Sequence, residues 1–471
     1  MNLNTLVLLL FADVGASRGA SLLATTTTTT TTINITSAST PRTFSLVRGV
    51  DRGPTCTAGA NAEDQLEASD TTLIRTHDAG VLDWCVVFPN PTLDPTNPLN
   101  YDWIAGDILF HEIVDHGYFT PYLRLGVSWS YPSPACLHPD PTVFSIVAVT
   151  MLERYKGYIE FVEIWNEPDG EPRFWNSSVE DFYLLFDITA RAVKGYNSSL
   201  RVGGPGVASP LAVKSYNYSF GLLDYIAAHS TPIDFFSWHS YGNIESPPNE
   251  WGHSPQGIYN TTIVSVRAAL AQRNLTHVVQ HITEWQPVIL GNASVTGSAE
   301  AASFTASALT IMASAADVQV SIFYPACEGV GPDGSWGMFL DWGNGTLSLR
   351  RETHAWTFVG ALLRDAPIEM LSNMAPPIVT DFTVLAGSNV HGTSIQVVVS
   401  ARASNSTSIS MSVPLDTGNN FITAQILMDS VPTQGLLMNW TNVPVSSDGL
   451  VSVTVDGLQF PAVILFIFTK S

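Results

Sequence analysis

The stretch YIEFVEIWNEP at 158–168 is a nearly continuous apolar and aromatic run that stops at Asn166-Glu167-Pro168. Such a run, bounded by a proline, reads as a strand buried on both faces. Proline has no backbone N–H and cannot carry the ladder further, so Glu167 sits at the strand's tip. A carboxylate there has either reached water or is held for chemistry. The rest of the chain decides between the two.

Seven more runs share this texture: FSLVRGV (44–50), TTLIRTH (71–77), PYLRLGV (121–127), LRVGGPGV (200–207), IDFFSWHSY (233–241), HVVQHITEW (277–285) and DVQVSIFYP (317–325). Stretches with apolar residues at helical spacing lie between them, such as DWIAGDILFHEIVDHG (102–117) and VEDFYLLFDITARAVKGY (179–196). Eight doubly buried strands separated by helices predict an α/β fold, a closed (β/α)8 TIM barrel, over 43–370. An open doubly wound sheet is the rival, but no Gly-rich phosphate loop follows the first strand. Beyond 370 the texture changes. TSIQVVVSARA (393–403), TSISMSVPL (407–415), FITAQILM (421–428), GLVSVTVDG (449–457) and PAVILFIFT (461–469) alternate or run apolar between Ser, Thr, Asn and Gly turns. This predicts a C-terminal antiparallel β-sandwich over 371–471.

The 471 residues are 45% apolar and 10% aromatic, ample for a large core. A formal charge of −21 excludes nucleic acid and anionic membrane as partners and suits a neutral or cationic small-molecule substrate. Residues 1–20 have a short apolar run, Leu6–Phe11, followed by small residues, which reads as a signal peptide. Residues 21–42 contain the tract Thr25–Thr32 and read as a disordered, O-glycosylated linker. Ten N-x-S/T sequons point the same way, toward a secreted, extracellular glycoprotein. Cys56, Cys85, Cys136 and Cys327 form no CxxC pair and no zinc spacing, so two disulfides or buried free thiols are the readings.

In a β/α barrel the active site lies at the carboxyl ends of the strands. Glu167 ends the fourth candidate strand and Glu284 the seventh; His239 and Tyr241 end the sixth, and Arg75, His77 and Asp78 the second. Two facing carboxylates about 5–5.5 Å apart support retaining glycoside hydrolysis, one protonated as acid and one ionised as nucleophile. A lone strand-end Glu is more often a solvated or capping residue; the pair, each beside a Trp, is the stronger signal.

These motifs carry a resemblance. WNEP and TEW look like the retaining β/α-barrel glycosidases. IRTHDAG (74–80), LDWCVVFPN (82–90), LDPTNPLNYDW (93–103), YLRLGVSW (122–129) and RVGGPGVA (201–208) resemble glycoside hydrolase family 39, which holds β-xylosidases and α-L-iduronidases. The resemblance covers about 45–365 and, more loosely, the sandwich. It implies a β-xylosidase-like exo-glycosidase that cleaves an oligosaccharide or glycoside without metal or cofactor. A polysaccharide-cleaving endo-glycosidase and a non-catalytic carbohydrate-binding cell-surface protein are the alternatives. By the same resemblance Glu167 is the acid/base, Glu284 the nucleophile and Asn166 the partner of the sugar 2-hydroxyl. Tyr241 and His239 orient the nucleophile and line the sugar site. His77, Arg75 and Arg124 face inward, although either arginine could instead sit in a structural ion pair. Trp129, Trp285, Tyr324 and Trp336 offer sugar-stacking faces, and Asp78 and Asp83 either reach the site or cap a helix. Two departures stand out: Gln286 follows Trp285 where the family more often has Asn, and the last strand opens into a long Gly-rich loop from Pro325 to Arg351. Barrel closure brings the first strand beside the last and the second beside the third, predicting Cys56–Cys327 and Cys85–Cys136 disulfides at the catalytic rim.

Overall fold

The computed structural model describes residues 30–470 except 57, 130, 245–252, 289–292, 332–335, 376–381, 403–407 and 416–419. The predicted signal peptide and the sequons Asn292 and Asn405 lie outside the described residues. Strand β1 (Thr30–Ser37) belongs to the carboxyl-terminal sheet. The next eight strands close into a barrel: β2 (Val47–Asp51), β3 (Leu73–Arg75), β4 (Thr120–Leu125), β5 (Phe161–Ile164), β6 (Arg201–Val207), β7 (Phe235–His239), β8 (Val279–Trp285) and β9 (Val318–Phe323). Every neighbour pairs in parallel, and β9 returns to β2 through Val47↔Val320.

Side chains that alternate along these strands build two different environments. At the amino-terminal end, Leu73, Tyr122, Phe161, Phe235, Val320 and Ile322 fill the barrel as a dry layer. One repeat further along, the inward positions become Asp51, Arg75, Glu163 and Glu284, all buried. The outward positions pack under the surrounding helices, as Val162, Ile164 and Val202 do. The inside of the barrel thus changes from apolar to charged along its axis, and the charged end is the carboxyl-terminal one.

Two short strands, β10 (Phe339–Asp341) and β11 (Leu347–Leu349), form a hairpin in the loop after β9. Helix Arg351–Asp365 then leads to β12 (Ile368–Ala375), β13 (Phe382–Ser388), β14 (Ser394–Ala401), β15 (Ser408–Pro414), β16 (Asn420–Leu427), β17 (Leu436–Val443), β18 (Leu450–Asp456) and β19 (Ala462–Lys470). With β1 they form one nine-stranded sheet in the order β17-β16-β19-β14-β13-β12-β1-β15-β18. Apolar side chains from both halves, including Ile33, Met411 and Val453 with Val397, Ile426 and Phe466, meet in one core. The barrel abuts this domain through helix Ala299–Ser314, whose Ser303 and Ser307 hydroxyls bond Ser400.

The Thr-rich stretch departs from expectation. Thr30–Thr32 and the residues after them are not a disordered linker but strand β1, antiparallel to β12 and parallel to β15. Burial alternates along it, with Thr31, Ile33 and Ile35 inside. Threonine is β-branched and suits a pleated, half-buried surface, a property masked by the low complexity of the tract. The β1–β15 pairing is also the one parallel contact among the pairings of an otherwise antiparallel sheet.

Candidate active site

Strand β5 ends at Ile164, and the backbone then turns sharply. Trp165 and Glu167 both adopt positive φ, 81° and 45°. This conformation is costly for non-glycine residues and persists where the surroundings over-determine it. The turn sends Trp165 outward, where its indole donates to the Phe174 carbonyl, and aims Asn166 and Glu167 into the barrel mouth. The Glu167 amide is fixed by the Gly206 carbonyl at 2.9 Å. On the opposite side, the register of β8 against both neighbours shifts between Ile282 and Trp285. That irregularity lets Thr283 and Glu284 both reach inward: Thr283 donates to Glu163 Oε1 at 2.8 Å. One carboxylate oxygen each from Glu167 and Glu284, with one nitrogen of His239, lie within 4.8 Å of one another.

The partners of the two carboxylates differ. Glu284 Oε1 accepts from Arg75 Nη1 at 2.8 Å and Oε2 from the Tyr241 hydroxyl at 2.6 Å, while His77 Nε2 stands 3.3 Å from Oε1. Glu167 Oε1 shares one hydrogen bond with His239 Nδ1, 2.9 Å. Glu167 keeps 20% of its side chain open to the cavity, yet enough protein surrounds it that burial, helped by Asp169, pushes its pKa up to about 8. Burial, with Glu167 beside it, holds Glu284 above the ordinary carboxylate range as well, and Arg75 and the Tyr241 hydroxyl oppose that shift. With Arg75 and Tyr241 donating to Glu284 and His239 alone bonded to Glu167, a proton shared by the pair favours Glu167. Burial lowers the pKa of His77 and of His239, so both imidazoles are neutral near pH 7.

Arg75 holds this arrangement. Its guanidinium bonds Glu163 at 2.7 Å, Asp51 at 3.1 Å, Glu284 at 2.8 Å and Asn166 Oδ1 at 2.7 Å, all inside the barrel. Burial opposes the charge, but three carboxylates hold the guanidinium protonated. Glu167, His239 and Glu284 also have the spacing of metal ligands, although Glu284 Oε1 is already paired with the Arg75 cation at 2.8 Å.

Most of the residues singled out in the sequence converge here. A cavity of about 900 Å³ is lined by His77, Trp129, Glu167, Tyr241, Glu284, Tyr324 and Trp336. Asn166 and His239 sit just beneath, each with a buried nitrogen, Nδ2 and Nε2, that no protein group satisfies. Two residues go elsewhere. Arg124 is fully buried and pairs with Asp83 at 2.7 Å and the Ser128 hydroxyl, so it fixes the loop after β4 and does not meet substrate. Trp285 points out of the barrel, where it donates to the Ser321 hydroxyl and packs on Phe323 and Trp356. Its neighbour Glu284 occupies the inward direction, and past the register shift the usual alternation turns Trp285 outward. Gln286 is buried with both amide atoms unpartnered in the protein. Asp78 reaches the cavity, where it accepts from the Tyr324 hydroxyl and from the Trp129 amide, 3.0 Å.

The sequence reading missed Asp51, Glu163, Arg52, Glu328 and Phe174. For Glu163 a signal existed: a lone charge inside an apolar run, matched by Arg75 inside LIR. Asp51 likewise directly follows an apolar strand. Arg52 and Glu328, which pair at 2.7 Å on the cavity rim, come from loops with no pattern to read. Cys56 is joined to Cys327 and Cys85 to Cys136, tying the loop after β2 to that after β9 and the loop after β3 to that after β4.

Residues 143–325, which contain both Glu167 and Glu284, match the model of the family described as Glycosyl hydrolases family 39. Over this part, about two fifths of its length, the chain is similar to glycoside hydrolase family 39. A β-xylosidase of Geobacillus stearothermophilus is 32% identical over 155 residues, 30% of this chain and 29% of that protein. A β-xylosidase of Caldicellulosiruptor saccharolyticus is 37% identical over 81 residues, 17% of this chain and 15% of that protein. The matches thus span less than a third of these relatives' length. A glucosidase from Croceicoccus marinus shares the fold of this chain at TM-score 0.74 and 20% identity, across 94% of this chain and 100% of that one. No helix among the described residues is long and apolar enough to cross a membrane.

Proposed function

We propose that this chain is a secreted retaining glycosidase, an exo-acting enzyme of β-xylosidase type. The observation that carries the reading is the separation of the two carboxylates, with oxygens inside 4.8 Å. Oxygens this close fit the separation of about 5–5.5 Å in retaining enzymes better than the about 6.5–9.5 Å of inverting ones. Glu284, ionised and aimed by Arg75 and Tyr241, attacks the anomeric carbon while Glu167 gives its proton to the departing oxygen. Water then hydrolyses the glycosyl-enzyme, with Glu167 as base. The unsatisfied Asn166 Nδ2 is suited to a sugar hydroxyl beside the reacting carbon. Loops after six of the eight barrel strands, all but β6 and β8, contribute to the cavity wall, and β8 adds Glu284 itself, which favours a chain end over a chain interior. Xylose as the sugar is supported by the β-xylosidase relatives. Secretion is supported by the two disulfides, which persist in oxidising compartments.

Hydrolysis of a panel of aryl glycosides by three proteins tests this. Glu284→Ala should abolish turnover on every sugar. Glu167→Ala should lose unactivated glycosides yet keep aryl glycosides whose leaving group needs no proton. Equal loss in both variants on an activated aryl glycoside would overturn the assignment of roles.

A further inference from the structure

The cavity has two unlike ends. Around Glu284 its wall is dense with polar and ring contacts: Tyr241 and Tyr324 at 6.2 Å, Tyr324 and Trp336 at 5.3 Å, and Arg52 paired with Glu328. Beyond Glu167 it is mostly apolar, formed by Val81, Val86, Pro132, Phe174 and the rings of Trp129 and Tyr131, whose indole N–H and hydroxyl are its polar tips, from the loops after β3, β4 and β5. This apolar wall is continuous with the proton donor. The Gly170 amide donates to the Glu167 carbonyl at 2.8 Å, and the Phe174 amide donates in turn to Gly170, so Phe174 stands one turn beyond Glu167. Phe174 and Trp129 meet at 5.9 Å between ring centroids. The Arg173 guanidinium covers the Trp129 ring, yet 57% of that residue remains exposed.

Glu167 protonates the leaving group, so whatever departs lies along this wall. Its polar atoms are few among the described residues. Ser128 is committed to Asp83 and Arg124, and the oxygens of Asp78 to the Trp129 amide and the Tyr324 hydroxyl. A second pyranose would bring several hydroxyls against Val81, Val86, Pro132 and Phe174, where each desolvated group lacks a partner. At about 900 Å³ the cavity is near the top of the range for small-molecule pockets, roughly 300–1,000 Å³, and holds more than one sugar ring. Resting on the glycosidase reading, we propose that the leaving group this site takes is a bulky apolar ring alcohol, aromatic or polycyclic, and not a second sugar. Trp129 and Phe174 are the residues that select it.

The test compares naphthylmethyl β-xyloside with xylobiose. The arylmethyl alkoxide is the poorer leaving group of the two, so a faster rate reports binding and not bond reactivity. The wild-type protein should show a kcat/KM about tenfold or more higher on the naphthylmethyl xyloside. Trp129→Ala and Phe174→Ala should each bring the ratio toward one. Free naphthylmethanol should bind Glu284→Gln protein, measured by calorimetry, and bind more weakly when Trp129→Ala is added. Xylobiose turned over as fast or faster, with no binding of the alcohol, would overturn the proposal and leave the glycosidase reading intact. Binding of the alcohol without turnover of either substrate would sustain the apolar site and sink the glycosidase reading. Neither binding nor turnover would sink both.

Discussion

Glu167 and Glu284 differ less in burial than in their donors. The pKa of about 8 at Glu167 has a kinetic consequence. As the acid it must be protonated, so kcat/KM on an unactivated glycoside should fall as pH rises through about 8. On an activated aryl glycoside, where no proton is needed, the wild-type protein should lack that basic limb; a limb that persists there would assign it to another group. Stability should respond too. A carboxyl whose folded pKa lies above its unfolded value makes the folded state bind the extra proton, so stability falls as pH rises between the two values and is lowest above the folded one. Glu167→Gln lacks this penalty, and its gain in melting temperature over wild type should grow between about pH 4.5 and 8, which a thermal-shift series reads. Arg75 is the opposite case. Replacing it by Met leaves Asp51, Glu163 and Glu284 buried without their cation, a loss of about 3–5 kcal/mol. Chemical denaturation measures it, and an Arg75→Met protein as stable as wild type would show that the network is not structural. At this scale the strand-end carboxylates, Asn166, His77, His239 and Tyr241 were legible because a barrel places strand ends together. Arg124 took the structural ion pair that its sequence had left open, and Trp285 was misread because nothing local tells which way a residue beside a register shift faces.

Backbone constraints appear at the scale of elements. Strand β6 passes so close to β7 that a Cβ on Gly203 would lie 2.1 Å from the Phe235 carbonyl oxygen. Gly203→Ala should cost about 1–3 kcal/mol or more through forced displacement. Gly195, in helix Val179–Tyr196, would meet nothing within 4 Å, and Gly195→Ala should stabilise by about 0.5–1 kcal/mol. Paired denaturation curves check the contrast, which requires opposite signs. The eight barrel strands were readable because both faces are buried, giving runs that helices interrupt. Strand β1 was not, because its partners β12 and β15 lie more than 300 residues away and a threonine tract shows no apolar alternation until Ile33.

For the whole molecule, cross-links and charge act together. Cys56–Cys327 spans 271 residues and joins the first and last barrel strands near the site. Replacing both cysteines by Ala should cost about 2–5 kcal/mol of stability, with the loosened rim including Arg52 and Glu328. Its pairing followed from closure of the barrel, a global property that the order of strands already contained. The site's polarity did not follow so simply. The charged layer around Arg75 and the apolar wall at Trp129 come from loops and inward positions of five different strands. The central claim is that Glu284 becomes covalently glycosylated while Glu167 handles the proton. An activated aryl xyloside fluorinated beside its anomeric carbon slows breakdown of such an intermediate enough to trap it. Peptide mass spectrometry after incubation should find one added sugar on Glu284. A sugar on any other residue, or steady turnover giving product of inverted anomeric configuration with no adduct, would contradict it.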